Sequence, residues 1–167
     1  MSAPERQIAG YLAALHSPLP DERAAALRWL GERAPTVLTA AHAPFFTDPA
    51  LVVREAAAVA LRGASDPAVA QRARLALRAL VRGEAAERHA GLRAAVALAN
   101  PTLAPRLAPF LAHAEAETRR LAVLALAAIP PGWLAPARQR EWRDPLLADP
   151  APGVCAAARR WVAETDG

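Results

Sequence analysis

The stretch DPALVVREAAAVAL, residues 48–61, decides how the chain is read. Asp48 and Pro49 form a helix start: the acid is a capping residue, and proline tolerates the first helical turn because its missing N–H has no partner there. Val53, Ala57, Ala60 and Leu61 then recur at helical spacing and define one apolar side, with Arg54 at its edge. The phrase is a turn followed by one helix, and it comes back along the chain.

Aligned on Arg54, five copies appear: Arg23 to Ala26, Arg54 to Ala57, Arg88 to Gly91, Arg119 to Ala122 and Cys155 to Ala158. They are separated by 31, 34, 31 and 36 residues. Arginine leads four of them and Cys155 the fifth. Three residues on stands Ala26, Ala57, Gly91, Ala122 or Ala158; six on, Trp29, Ala60, Ala94, Ala125 or Trp161; seven on, Leu30, Leu61, Ala95, Leu126 or Val162. A second helical segment precedes each phrase, and prolines cluster at the joints, where helices start and break. Five helical pairs are predicted, over about 5–33, 35–63, 67–99, 102–129 and 133–164. Pro44, Pro105 and Pro109 fall inside first helices and should kink or shorten them.

The chain resembles the HEAT-repeat family in its compact bacterial form, related to the phycobilisome-lyase-type repeats. The run from Val53 to Leu61 and the acid six residues before the arginine, Asp48 and Arg54, carry the resemblance. It implies an all-α, right-handed α-solenoid of five pairs forming one domain over 1–167, with second helices lining an inner, concave face. It also implies that acid and arginine tie each turn to its second helix. Within a copy only Asp48 and Arg54 make the full pair: Ser17, Arg82 and His113 replace the acid elsewhere, and Asp149 precedes Cys155. A pair this small cannot bury its apolar side alone, so neighbouring pairs must stack. Trp29 and Trp161, in the first and last copies, are either end covers or ordinary core.

Composition agrees. The 167 residues are 54% hydrophobic but only 5% aromatic, and 46 are alanine, the best helix former. All 20 basic residues are arginine, as a high-GC genome favours. Counted over halves divided at Gly83, arginine exceeds acid by ten to seven and by ten to nine, with no basic block evident. A lone Cys155 forms no internal disulfide and suits a reducing compartment. The opening MSAPERQIAGYLAALHS has an acid and a short apolar run, unlike a signal peptide, and the longest apolar run, 121–129, is too short to span a bilayer. A soluble cytoplasmic protein is expected, without membrane contact.

No catalytic, cofactor or metal site is expected. His16, His42, His89 and His113 form no ligand pair, and the cluster His113, Glu115 and Glu117 reads as helix capping. Cys155 sits at a helix start, where a thiolate is stabilised, but it occupies a repeat column. HEAT-like DNA glycosylases use a tryptophan and an aspartate one turn apart; Trp142 and Asp144 are two apart and diverge on a helix. What remains is a surface. On a helical wheel, Arg28, Val59, Arg62, His89, Arg93, Arg120, Leu124 and Arg160 point away from the core on the inner face, with Glu55 the one acid among them. Arginine beside exposed valine and leucine suits a protein partner with an acidic segment. Nucleic acid is the alternative, weakened for single strands by the lack of aromatic side chains on this face. An accessory role in bilin attachment follows from the repeat type alone.

Overall fold

The structure, a computed structural model, describes residues 2–165, and every regular element among them is helical. In chain order they are α1 (Ala3–Ala14), α2 (Pro20–Arg33), α3 (Leu51–Ala60), α4 (Pro67–Arg82), α5 (Ala85–Leu98), α6 (Ala104–Leu107), α7 (Ala116–Ala127), α8 (Pro136–Arg143) and α9 (Pro152–Thr165). Short 3₁₀ segments fill several joints. The chain divides into two compact units, residues 1–94 and 95–167.

In the first unit α1 opens with a capping box between Ser2 and Glu5, and its Tyr11 stacks on Trp29 of α2 with ring centroids 4.2 Å apart. Small residues let α2 and α3 approach closely: a Cβ on Gly31 would lie 2.7 Å from Ala60 Cα. α3 is buried on more than one side, through Val53, Ala56, Ala57, Ala58 and Ala60, with Leu61 following at 0% exposure. Only a helix this rich in alanine can be enclosed so closely without overpacking. α4 packs Val69, Ala73, Leu77 and Leu80 inward. α5 crosses the end of α4 at Gly91, where a Cβ would meet Val81 N at 2.7 Å.

The internal prolines act as the sequence predicts. Pro44 lies in a 3₁₀ segment, Ala40–Thr47, where an α-helix would need its N–H. In the second unit α6 has four residues around Pro105, and Pro109 lies in the 3₁₀ segment Ala108–Ala112. α8 begins at Pro136 rather than near 133, and gives way to 3₁₀ geometry at Asp144–Ala148, over Pro145. α7 packs on α9: Leu121, Val123 and Leu126 are buried, as are Val154, Ala158 and Trp161, which is 1% exposed. Trp161 is therefore core, whereas Trp29 keeps partial exposure under Tyr11.

The repeat arginines reveal a different pairing from the one the resemblance implies. Arg54 Nη1 donates to the carbonyls of Asp48 and Pro49, in its own turn, and not to the Asp48 carboxylate. That carboxylate receives both Nε and Nη2 of Arg23, from the preceding copy, at 3.1 and 3.0 Å. Arg23 Nη1 in turn donates to the carbonyls of Ser17 and Pro18. Arg119 repeats the pattern: Nη1 to the carbonyls of His113 and Ala114, and a two-pronged contact to Asp149 at 2.8 and 2.8 Å. Arg54 reaches forward to Glu87 instead, at 3.0 Å. Asp48 and Pro49 precede the helix rather than start it, since α3 begins at Leu51 with Ala50 in the cap position; each acid instead closes its own turn, Asp48 Oδ1 accepting from Ala50 N and Asp149 Oδ1 from Ala151 N. The acid of one copy thus serves the arginine of the copy before it, so Arg23 and Arg119 find carboxylates although Ser17 and His113 stand in their own turns.

Candidate interaction surface

The first unit brings three second helices together. Gly31 sets α2 against α3, and a fork from Arg93 on α5 to Glu55 on α3, at 2.9 and 3.3 Å, ties α5 to α3. Val59 follows Glu55 by four residues and shares its side of α3, and Arg62 comes just after the end of α3, in the 3₁₀ segment Leu61–Gly63. Arg28 is exposed on α2, one turn before Gly31. Val59, Arg62 and His89 are partly buried. Glu55 neutralises Arg93, so that charge is already answered within the fold. Arg62 differs: among the described residues no carboxylate pairs with it. Burial, and then the like charge of Arg74, lower its pKa below the ordinary arginine value. It is a partly dehydrated cation with a cation for a neighbour. Ala24, which stands one residue after Arg23 as Glu55 does after Arg54, is buried.

The second unit places Arg120 and Leu124 on α7 and Arg160 on α9. Gly153 lies beside the Arg120 stem, a Cβ there reaching Cδ at 3.3 Å, and Arg160 is two turns further along α9. Arg120 holds Glu117 by two bonds of 2.7 Å; that hydrogen bond raises its pKa against the cost of burial. Leu124 is partly buried and Arg160 exposed. The Glu55–Arg93 fork was not legible on a wheel of one helix, since it depends on which helix lies alongside; the Glu117–Arg120 pair, three apart on α7, was legible from spacing alone.

The other candidate groups are engaged structurally. His113 Nδ1 accepts from Glu115 N, the cap an aspartate provides elsewhere, and Glu115 accepts from the buried Thr118 hydroxyl. Cys155 Sγ donates to the Asp149 carbonyl at 2.9 Å, the bond that Arg54 makes to its own turn. Asp144 accepts from the Nε of buried Arg143 at 3.0 Å, and Trp142 lies under the Arg138 guanidinium. A cavity of about 210 Å³ in the second unit is lined by Leu134, Pro136, Gln139, Arg140, Arg143 and Thr165. Among the described residues no cluster of three histidine, cysteine or acidic side chains is placed to hold a metal, and no helix is long and apolar enough to cross a membrane. No protein-family model matches the chain, and no curated protein matches it.

The division of charge into halves hid one feature. α4 contains four arginines and no acid. A count along α4 shows it, whereas a balance over all residues up to Gly83 does not.

Proposed function

We propose that this protein is a non-enzymatic, cytoplasmic binding module, built of HEAT-like helical pairs stacked in a right-handed solenoid, whose second helices receive an acidic segment of a protein partner. The contact residues of this reading are Arg28, Val59, Arg62, His89 and Arg93 in the first unit, and Arg120, Leu124 and Arg160 in the second. The observation that carries it is Arg62: a partly buried guanidinium that pairs with no carboxylate among the described residues, three residues after Val59. A partner carboxylate would relieve both its lost hydration and its repulsion from Arg74, while Val59 adds apolar contact. Glu55 on Arg93 is an internal precedent for a carboxylate held on this side of α3 and α5.

The test is affinity capture of the partner from nuclease-treated native lysate, followed by titration with the purified partner. Arg28→Glu with Arg62→Glu should abolish the complex while the helical circular-dichroism signal is kept, and Val59→Ala should weaken it, since apolar anchors carry binding energy. A complex that survives the double reversal, or that vanishes on nuclease treatment alone, overturns the reading.

A further inference from the structure

The chain carries 20 arginines and 16 acids, a net charge of +4. α4 holds Arg72, Arg74, Arg78 and Arg82 and no acid, so the remaining sixteen arginines and sixteen acids cancel. One helix bears the entire surplus. It also presents that surplus outward: Val69, Ala73, Leu77 and Leu80 are buried, whereas Arg72, Arg74 and Arg82 are exposed and Arg78 partly so. Arg74, Arg78 and Arg82 recur every fourth residue, one row with a rise of about 6 Å per step. Arg72 lies about 160° around the helix from Arg74, at 100° per residue, so cations flank both edges of the exposed strip. Gln71 and Leu75 lie between them.

Arg74 Nε donates to Gln71 at 3.0 Å, and among the described residues none of the four arginines pairs with a carboxylate. Arg62 adds a further cation beside Arg74. The nearest acids in sequence lie outside the helix: Asp66 caps its start through Ala68 N, and Glu84 follows its end. Like charges four apart destabilise a helix, so the row is a cost to the free protein that a polyanion would remove.

We propose that the solvent face of α4 docks on the phosphate backbone of duplex DNA. This surface adjoins the arginine–valine side assigned above to a protein partner, which it meets where Arg74 neighbours Arg62. A protein contact needs a cluster of apolar anchors, and α4 exposes one large apolar side chain, Leu75. Insertion into a lipid surface needs a bulky apolar face, and the apolar face of α4 is already packed inward. Single strands need aromatic platforms, absent here. A duplex presents two phosphate ridges bounding a major groove wide enough for a helix, and arginine at both edges of one helix meets that arrangement through charge-assisted, fork-shaped contacts.

Fluorescence anisotropy with a short random-sequence DNA duplex, over a series of salt concentrations, tests this. The logarithm of the affinity should fall linearly with the logarithm of salt, with a slope of about −3 to −4 for four phosphates. Arg74→Ala with Arg78→Ala should flatten the slope by about two and weaken binding at least about tenfold at low salt. Arg106→Ala with Arg159→Ala removes the same charge from exposed positions elsewhere and should leave the affinity within about twofold. Circular dichroism confirms that all variants are folded. Equal weakening by both pairs of substitutions, no binding at low salt, or tighter α4-dependent binding to polyglutamate or to phosphatidylserine vesicles than to the duplex overturns the proposal.

Discussion

Arg119 and Arg88 occupy the same column of the repeat, and their surroundings could hardly differ more. Arg119 uses three nitrogens: Nη1 on two carbonyls of its own turn, and Nε with Nη2 on Asp149. Both side chains of that pair are largely buried, at 13% and 6% exposure. Arg88 Nε is equally shut away from water and, among the described residues, has no hydrogen-bond partner. The residue that takes the acid's place in the copy after Arg88 is His113, which the sequence supplies instead of aspartate. The local text around the two arginines does not distinguish them. The worth of a repeat arginine is set some thirty residues away, in the next turn.

The comparison can be broken most strongly at Asp48, the carboxylate on Arg23. Asp48→Ala removes a fork and a turn cap together, leaving Arg23, 15% exposed, without its acid. The expected loss is about 1–3 kcal/mol, read from urea denaturation; a midpoint equal to that of the parent would mean that the fork contributes nothing.

Acid titration sharpens the same contrast. The Arg119 hydrogen bond, opposed by burial and aided by Ala151 N, holds Asp149 below the usual aspartate value of 3.8. For Asp48 burial is the largest influence and pushes upward, but Arg23, Ala50 N and Arg54 together outweigh it, and the net shift is also downward. A carboxyl depressed in the folded state binds protons more readily when unfolded. Its contribution is therefore complete above the unfolded value and fades as pH falls below about 4 through the folded one. Melting temperature should hold from neutral pH to about 5 and then drop. The drop should be shallower in a variant carrying both Asp48→Asn and Asp149→Asn; an unchanged acid limb would place the sensitivity in other carboxyls.

The smallest effect is expected at Arg88. Arg88→Met keeps the long stem and removes the unpartnered nitrogen, so stability should change by less than about 0.5 kcal/mol, or rise. A loss as large as that of Asp48→Ala would show that Arg88 is held by bonds equal to those of its column mates.

The sequence was most informative where a property belongs to one helix. Val53, Ala57, Ala60 and Leu61 are all buried, as their spacing requires, and Pro44, Pro105 and Pro109 shorten or tighten the segments that hold them. It misled where a property belongs to two. Asp48 and Arg54, six apart, look like partners, yet the carboxylate turns to Arg23 because the Arg54 fork is spent on turn carbonyls and Glu87. Arg93 reads as an open charge on its wheel, while Glu55, on another helix, covers it. The basic face of α4 was legible throughout, since it needs only one helix and a count of its charges.

The shared carboxylates also shift the boundaries of the transferable module. A segment cut at the helical pairs, such as residues 35–63, would carry Asp48 away from Arg23 and leave that arginine behind without a mate. A segment running from an arginine to the following aspartate, 23–48 or 119–149, keeps donor and acceptor on one piece of chain. For deletion, duplication or grafting, the building block of this protein is thus a second helix, the first-helix segment of the next pair and the acid that closes it, staggered by about half a repeat from the one its spelling suggests.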